Sequence, residues 1–145
     1  MTHVAKASWV ELGGQRFYAR SKAEARHAAL LETMLRAGSI RSWKHEPTTF
    51  YFPNVKRGSV SYKPDFEVVD THGGVVFHEV KGRWDRKSVE KLRLMARHHP
   101  TVRIETFGAR LEQKDRQRID VARALAFREM EKSFRKIAKN LGVSP

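Results

Sequence analysis

Residues 62–82 of the chain read YKPDFEVVDTHGGVVFHEVKG, and this stretch predicts an antiparallel β-hairpin. Two runs rich in valine and phenylalanine flank a turn that contains two adjacent glycines, which is the pattern of paired strands joined by a tight connection. If the turn is centred on His72, Asp65 lies opposite Glu79 on one face of the strand pair. Lys81 follows Glu79 by two residues, so it projects from that same face.

Two carboxylates that face each other across a strand pair repel, and each raises the pKa of the other. A divalent cation between the two carboxylates removes this repulsion, because Mg²⁺ or Mn²⁺ takes oxygen ligands from one or two carboxylates together with water and substrate phosphate. A nearby lysine can then orient or deprotonate an attacking water. Asp65, Glu79 and Lys81 therefore predict a hydrolytic site that uses a hard metal ion.

In this chain Pro64-Asp65 is followed after thirteen residues by Glu79-Val80-Lys81. This order resembles the signature of the PD-(D/E)xK nuclease superfamily. The flanking sequence makes the resemblance more specific. Gly82-Arg83-Trp84 follows the lysine, and the next predicted helix ends at His98-His99-Pro100. In these features the chain is similar to the phage endonuclease I type of Holliday junction resolvase, over roughly residues 21–107.

The resemblance implies an α/β fold, with a restriction-endonuclease-like mixed sheet flanked by helices. It also implies a metal-dependent DNA endonuclease that resolves Holliday junctions or other branched DNA and leaves a 5′-phosphate and a 3′-hydroxyl. Mg²⁺, with Mn²⁺ as a substitute, would be held by Asp65, Glu79, the Val80 carbonyl and Glu24, and Lys81 would activate the water. The same resemblance implies a homodimer, in which the segment before the PD motif exchanges between subunits.

Glu24 has two interpretations. Residues 21–24 have the S-x-x-E form of a capping box, in which Glu24 binds the backbone amide of Ser21 and opens a helix that runs to about Ala37. Alternatively, Glu24 is the metal ligand that the first helix supplies in PD-(D/E)xK nucleases. The residues alone do not decide between the two, and the resemblance favours the ligand.

Composition indicates a polyanionic partner. The chain has 145 residues and a formal net charge of +13, which suits DNA or an architectural protein that only coats nucleic acid. The acidic pair argues against mere coating, because converging carboxylates would repel phosphate. No cysteine is present, which excludes disulfides and thiolate metal sites, and no apolar run approaches the ~18 residues of a membrane span. We therefore expect a soluble, cytoplasmic protein of a bacterium or a phage-infected host cell.

Seven basic side chains flank the predicted site in sequence and are candidates for DNA binding, with a solvated surface as the alternative. They are Lys22, Lys56, Arg57, Lys63, Arg83, Arg86 and Lys87. Arg86 and Lys87 open a helix predicted over about 86–97 with Asp85 as its N-cap, where helix amides and cations can bind phosphates.

Three regions are predicted: a flexible arm at 1–14, a nuclease core at 15–109 and a basic helical extension at 110–145. Within the core, strands are expected near 15–18, 40–46, 48–52 and 101–107. The extension is predicted to be a long amphipathic helix over about 112–141, packed against the sheet or a second subunit. Its apolar stripe comprises Ile119, Ala122, Ala126, Met130, Phe134, Ile137 and Leu141.

The seven histidines show no metal-ligand spacing, so none is assigned to the site, and His78 is expected on the opposite sheet face from Glu79. Two alternatives to junction resolution remain. One is a PD-(D/E)xK nuclease that acts on ordinary duplex DNA in restriction, transposition or phage genome processing. The other is a non-catalytic basic DNA-binding protein.

Overall fold

A computed structural model describes residues 7–144 and gives a mixed α/β fold in that part of the chain. The eight strands and three helices of the described residues are β1 (Ser8–Leu12), β2 (Gln15–Ala19), α1 (Lys22–Arg36), β3 (Ile40–His45), β4 (Phe50–Tyr51), β5 (Ser61–Tyr62), β6 (Phe66–Asp70), β7 (Val75–Lys81), α2 (Arg86–His98), β8 (Ile104–Gly108) and α3 (Gln113–Asn140).

The central element is a four-stranded mixed sheet in the order β3-β6-β7-β8, with β1-β2 and β4-β5 as two small separate sheets. Strand β6 is antiparallel to both β3 and β7, whereas β8 is parallel to β7. The chain divides into two compact units. The first contains residues 7–50, Tyr62–Trp84 and Arg103–Arg110, and the second contains Tyr51–Ser61, Asp85–Val102 and residues 111–144.

The hairpin formed by β6 and β7 has the expected register. Phe66 pairs with His78 and Val69 pairs with Val75, so the turn is centred at position 72. The Asp70 carboxylate accepts hydrogen bonds from the backbone amides of residues 72 and 74, both at 2.8 Å. This local capping fixes the turn, and the turn fixes which side chains of the two strands share a face.

The core of the first unit lies between α1 and one face of the sheet. Phe66 and Val68 of β6 and Trp43 of β3 pack with Leu31 of α1 and Phe17 of β2. Helix α1 begins at a Ser21 cap, whose hydroxyl accepts the amide of residue 24, and it ends before a glycine with φ of 76° at position 38. Both helix ends match the expectation from sequence.

The prediction of a flexible arm at 1–14 is wrong for the described residues of that segment, which form a strand. Ser8–Leu12 forms β1, which pairs with β2 through a turn at Gly13 and Gly14. Both glycines have positive φ, 55° and 76°, a conformation that suits a two-residue hairpin connection. Val10 and Leu12 pack on the core, which stabilises the strand. Residues 1–6 lie outside the described part of the chain.

Three other strand boundaries shift. The extended segment predicted over 48–52 is a strand only at Phe50–Tyr51, the segment over 40–46 ends at His45, and the last strand is Ile104–Gly108 instead of 101–107. The residue after β3, Glu46, has a φ of 45°, which ends the regular strand there. Val102 instead belongs to a turn, where its amide donates to the His99 carbonyl.

In the second unit, α2 and α3 pack against each other. Asp85 caps α2 by accepting the Ser88 amide at 2.7 Å, as predicted. The packed faces bury Val89, Leu92, Met95 and Ala96 of α2 and Ile119, Ala122 and Ala126 of α3. The first half of the α3 stripe therefore meets a neighbouring helix of its own unit, whereas sequence favoured the sheet or a second subunit.

The boundary predicted between core and extension, at 109/110, lies one residue from the boundary between the two units at Arg110/Leu111. The second unit also contains residues 51–61 and 85–102, which were expected in the core. No helix among the described residues combines the length and apolar character needed to cross a membrane.

Candidate metal centre

Asp65 and Glu79 meet at the start of the hairpin, within the first unit. Asp65 directly precedes β6, and its Oδ2 accepts a hydrogen bond of 2.8 Å from the Val80 amide of β7. Glu79 is the residue before Val80 in β7, and it is only 5% exposed. The hairpin register thus brings the two predicted carboxylates to one end of the strand pair.

Two further side chains fix Glu79. The Tyr62 hydroxyl donates a hydrogen bond of 2.6 Å to Glu79 Oε2, and Lys81 Nζ lies 3.5 Å from Glu79 Oε1. The Lys81 side chain is 33% exposed, so its ammonium group reaches solvent while it contacts a buried carboxylate. Lys81 is therefore a partly solvent-accessible cation in contact with the acidic pair.

The protonation of the pair responds to its burial. Burial, followed by the charge of Glu79, raises the pKa of Asp65 to about 7, although the Val80 amide opposes the shift. Burial also raises the pKa of Glu79, against the hydrogen bond from Tyr62 and the charge of Lys81. Near neutral pH Asp65 is therefore only partly ionised, and a nearby divalent cation would favour its ionised form.

The backbone behind Lys81 is held tightly. Its carbonyl accepts the Ala109 amide at 2.8 Å, and the Trp84 indole donates to the Ala109 carbonyl at 2.7 Å. Gly108 lies opposite Lys81 in the parallel pair with a φ of +99°, and a Cβ there would lie 2.3 Å from the Lys81 carbonyl oxygen. Only glycine fits this position, which fixes the strand end that carries the lysine.

Glu24 belongs to a second, adjoining cluster. Its Oε1 lies 2.6 Å from His45 Nε2, and its Oε2 accepts the Arg20 amide at 2.9 Å. Glu46 completes the cluster, with Oε1 at 3.9 Å from His45 Nε2 and 3.2 Å from an Arg20 guanidinium nitrogen. Within residues 7–144, Glu24, His45 and Glu46 form the one group of three or more acidic or histidine residues whose ligand atoms lie within 4.8 Å of one another.

This geometry bears on both interpretations of Glu24. The Ser21 hydroxyl accepts the Glu24 amide at 3.1 Å, but the Glu24 carboxylate binds the amide of Arg20 and not that of Ser21. Burial alone would raise the pKa of Glu24, but the hydrogen bonds from His45 and the Arg20 amide lower it below its usual value. Glu24 is therefore ionised, and its charge adds to the rise in the pKa of Asp65.

His45 is the residue of this region that sequence reasoning missed. It lies two residues after Trp43 in β3, so the two side chains share the face of the strand that packs toward α1. The alternation was visible in the sequence, but the contact with Glu24 joins residues 21 positions apart. Only the pairing of α1 with β3 identifies that partner.

Val80 contributes its backbone amide to Asp65, and its side chain packs against the core. The expected use of its carbonyl as a metal ligand stays a prediction. His78 contacts His27 of α1 at 2.9 Å, between Phe66 and Phe107. Burial, helped by the charge of its partner, lowers the pKa of His27 to about 4, and burial lowers that of His78 to about 4. Both rings are neutral at pH 7 and form part of the core.

All seven basic residues proposed for DNA contact are exposed, and within residues 7–144 none of them forms an ion pair. Three lie in the first unit, which also carries the acidic pair, and four lie in the second. By contrast, Arg93, Arg97 and Arg118 of the second unit are bound to glutamates. The seven cations thus remain open to a polyanion.

Comparison of the chain with protein-family models, with curated proteins and with solved structures found no match.

Proposed function

We propose that the chain is a metal-dependent endonuclease that hydrolyses phosphodiester bonds in DNA, with branched DNA as its substrate, on a restriction-endonuclease-like fold. The observation that carries the proposal is the pair formed by buried Glu79 and partly buried Asp65, with Lys81 beside it. Burying two like charges together costs free energy, and a protein that only binds phosphate gains nothing from them. A site for a cation gives the pair a use.

The donor set fits a hard cation. Asp65 and Glu79 offer carboxylate oxygens, the ligands that Mg²⁺ and Mn²⁺ take, while the site leaves room in its ligand set for water and phosphate oxygens. The bound ion would supply a Lewis acid that stabilises the charge developing on the phosphate. Glu24 would serve as an additional carboxylate at the edge of the site, already ionised through its contacts with His45 and Arg20.

The chain's own groups have separate tasks in this reaction. Lys81, partly exposed next to Glu79, orients the attacking water through its ammonium group. Water attacks phosphorus and loses a proton to solvent, the P–O3′ bond breaks, and the leaving O3′ takes up a proton from solvent, so the products carry a 5′-phosphate and a 3′-hydroxyl. Tyr62 keeps Glu79 oriented through its hydrogen bond. The unpaired basic side chains bind the DNA backbone without reading its sequence.

Lys81→Ala tests the proposal. Loss of a water-orienting group should slow cleavage by at least ~100-fold, while DNA affinity measured in chelator stays within about twofold, since a single phosphate contact contributes little. Lys44→Ala, which removes an exposed lysine of β3, is the matched control and should cleave at the wild-type rate. Full activity in the Lys81→Ala protein would overturn the assignment.

A further inference from the structure

The C-terminal half of α3 exposes a continuous apolar surface. We name this surface the C-terminal stripe, and it comprises Phe127, Met130, Phe134, Ile137, Leu141 and Val143. Phe134 is 65% exposed and Leu141 is 73% exposed, and the members within the helix recur at steps of three and four residues. Together they line a groove of about 740 Å³. Such a surface on a soluble protein marks an interface.

The stripe continues a helix face that is already an interface. The first half of α3 buries Ile119, Ala122 and Ala126 in its contact with α2. Helix α2 ends at His98, and a second groove of about 390 Å³, lined by Pro100, Ala126 and Phe134 among others, joins the covered half to the open half. A partner on the stripe would therefore extend existing helix packing by several turns.

We infer that a second copy of this chain covers the C-terminal stripe, with the same face of α3 meeting itself about a two-fold axis. A two-fold contact needs a surface that does not repel its own copy. Four basic side chains of this half, Arg128, Lys132, Lys136 and Lys139, lie on the far side of the helix from the stripe.

The flanks of the stripe suit such a contact. Ser133, Ala138 and Asn140 are small or uncharged, so two helices can approach closely along them. Two charged residues, Glu131 and Arg135, line the groove of the stripe, and they are bound to each other at 2.6 Å. Glu129 lines the second groove and is bound by Arg97 at 2.8 Å. The contact thus avoids the like-charge repulsion that a net charge of +13 would otherwise cause between copies.

The size of the surface agrees with a dimer. Six large apolar side chains, about half exposed, present roughly 600 Å² per copy, hence about 1,200 Å² in the pair, at the lower end of specific interfaces. A nucleic-acid backbone does not fit the stripe, because phosphates gain nothing from apolar side chains. The inference does not depend on the proposed nuclease activity, although two copies would bring two acidic sites to one substrate.

Sedimentation equilibrium of the full chain, without DNA or metal, tests the inference. The wild-type protein should associate to a dimer at micromolar concentration. Phe134→Glu, which places a charge in the middle of the stripe, should weaken association by at least ~30-fold, the effect of losing one central contact of about 2 kcal/mol. Leu30→Glu on α1 is the matched control, because Leu30 is a 51% exposed helical leucine outside the stripe, and it should dimerise normally.

Disulfide trapping gives a readout that does not depend on the folding of Phe134→Glu. Because the chain has no cysteine, Ser133→Cys introduces a single thiol beside the centre of the stripe and should form a covalent dimer on mild oxidation. Lys132→Cys, on the far side of the helix, should not. A monomeric wild type, a dimer that Phe134→Glu leaves intact, or equal trapping of both cysteines would overturn the inference. A monomer that binds anionic lipid vesicles through Phe134 would assign the stripe to a lipid surface.

Discussion

Asp65→Asn should stabilise the protein in the absence of a divalent cation. The substitution removes the charge that burial and Glu79 oppose, and the asparagine oxygen can still accept the Val80 amide that Asp65 binds. The difference between the ordinary pKa of 3.8 and the raised value of about 7 corresponds to about 4 kcal/mol at ~1.4 kcal/mol per pH unit. Because solvent reaches and screens part of the carboxyl group, we expect about 2 kcal/mol.

Proton linkage determines how the stability difference between wild type and Asp65→Asn changes with pH. A carboxyl group whose pKa is raised on folding adds stability below its unfolded pKa, and that contribution is lost as pH rises through the folded value. Wild type and Asp65→Asn should therefore have equal stability near pH 4 and diverge up to about pH 7. At pH 8 in chelator the variant should melt roughly 6 °C higher, given the usual 2–4 °C per kcal/mol in domains of this size.

Thermal unfolding followed by circular dichroism, at several pH values with chelator or with Mg²⁺, measures both effects. Mg²⁺ should raise the melting temperature of the wild type, since it binds only the folded site, and should leave Asp65→Asn nearly unchanged. Glu67→Gln neutralises a carboxylate elsewhere on β6 and should stay within about 0.5 kcal/mol of the wild type. Equal stability of wild type and Asp65→Asn at pH 8 in chelator, or an equal Mg²⁺ effect on both, would contradict this prediction.

Three further predictions concern other parts of the first unit. Gly108→Ala should lose at least ~2 kcal/mol of unfolding free energy, because its Cβ would meet a carbonyl oxygen at 2.3 Å, whereas Gly82→Ala, with open space around it, should be neutral in the same denaturation assay. A histidine with a lowered pKa contributes stability above its ordinary pKa of 6.5, and that contribution is lost as pH falls toward 4. The wild type should therefore lose stability over this pH range, and His27→Leu should lose about 2 kcal/mol less. An unchanged difference between melting temperatures at about pH 7 and pH 5 would contradict this. Tyr62→Phe removes the hydrogen bond that favours ionised Glu79, so the acidic limb of the cleavage profile should move up by about one pH unit, and an unmoved limb would exclude this role.

The parts of the fold that sequence predicted are those with local signals. The turn at His72 fixed the register of the hairpin, because Asp70 and two glycines lie within a few residues of it. Helix α1 was recognisable by its Ser21 cap, and α3 by its uninterrupted apolar periodicity. That register alone predicts that Asp65 and Glu79 lie together, since position in a hairpin determines which side chains share a face.

The parts that sequence did not predict depend on partners far along the chain. Strand β1 exists because Val10 and Leu12 find a core built by other elements, and its own residues show little alternation. Helix α3 packs on α2 although its stripe carries no information about which surface it meets. The contact between His45 and Glu24 joins a strand and a helix whose pairing is a property of the tertiary structure.

The most direct test of the central claim is cleavage of a four-way DNA junction and of matched linear duplex by the purified protein, with Mg²⁺ and with chelator, alongside Asp65→Asn. We expect cuts near the branch point that require Mg²⁺, leave a 5′-phosphate and vanish in the variant. Cleavage of linear duplex at the same rate would retain the acidic site and assign ordinary duplex as the substrate. Binding without cleavage under Mg²⁺ or Mn²⁺, or cleavage that survives Asp65→Asn, would contradict the account.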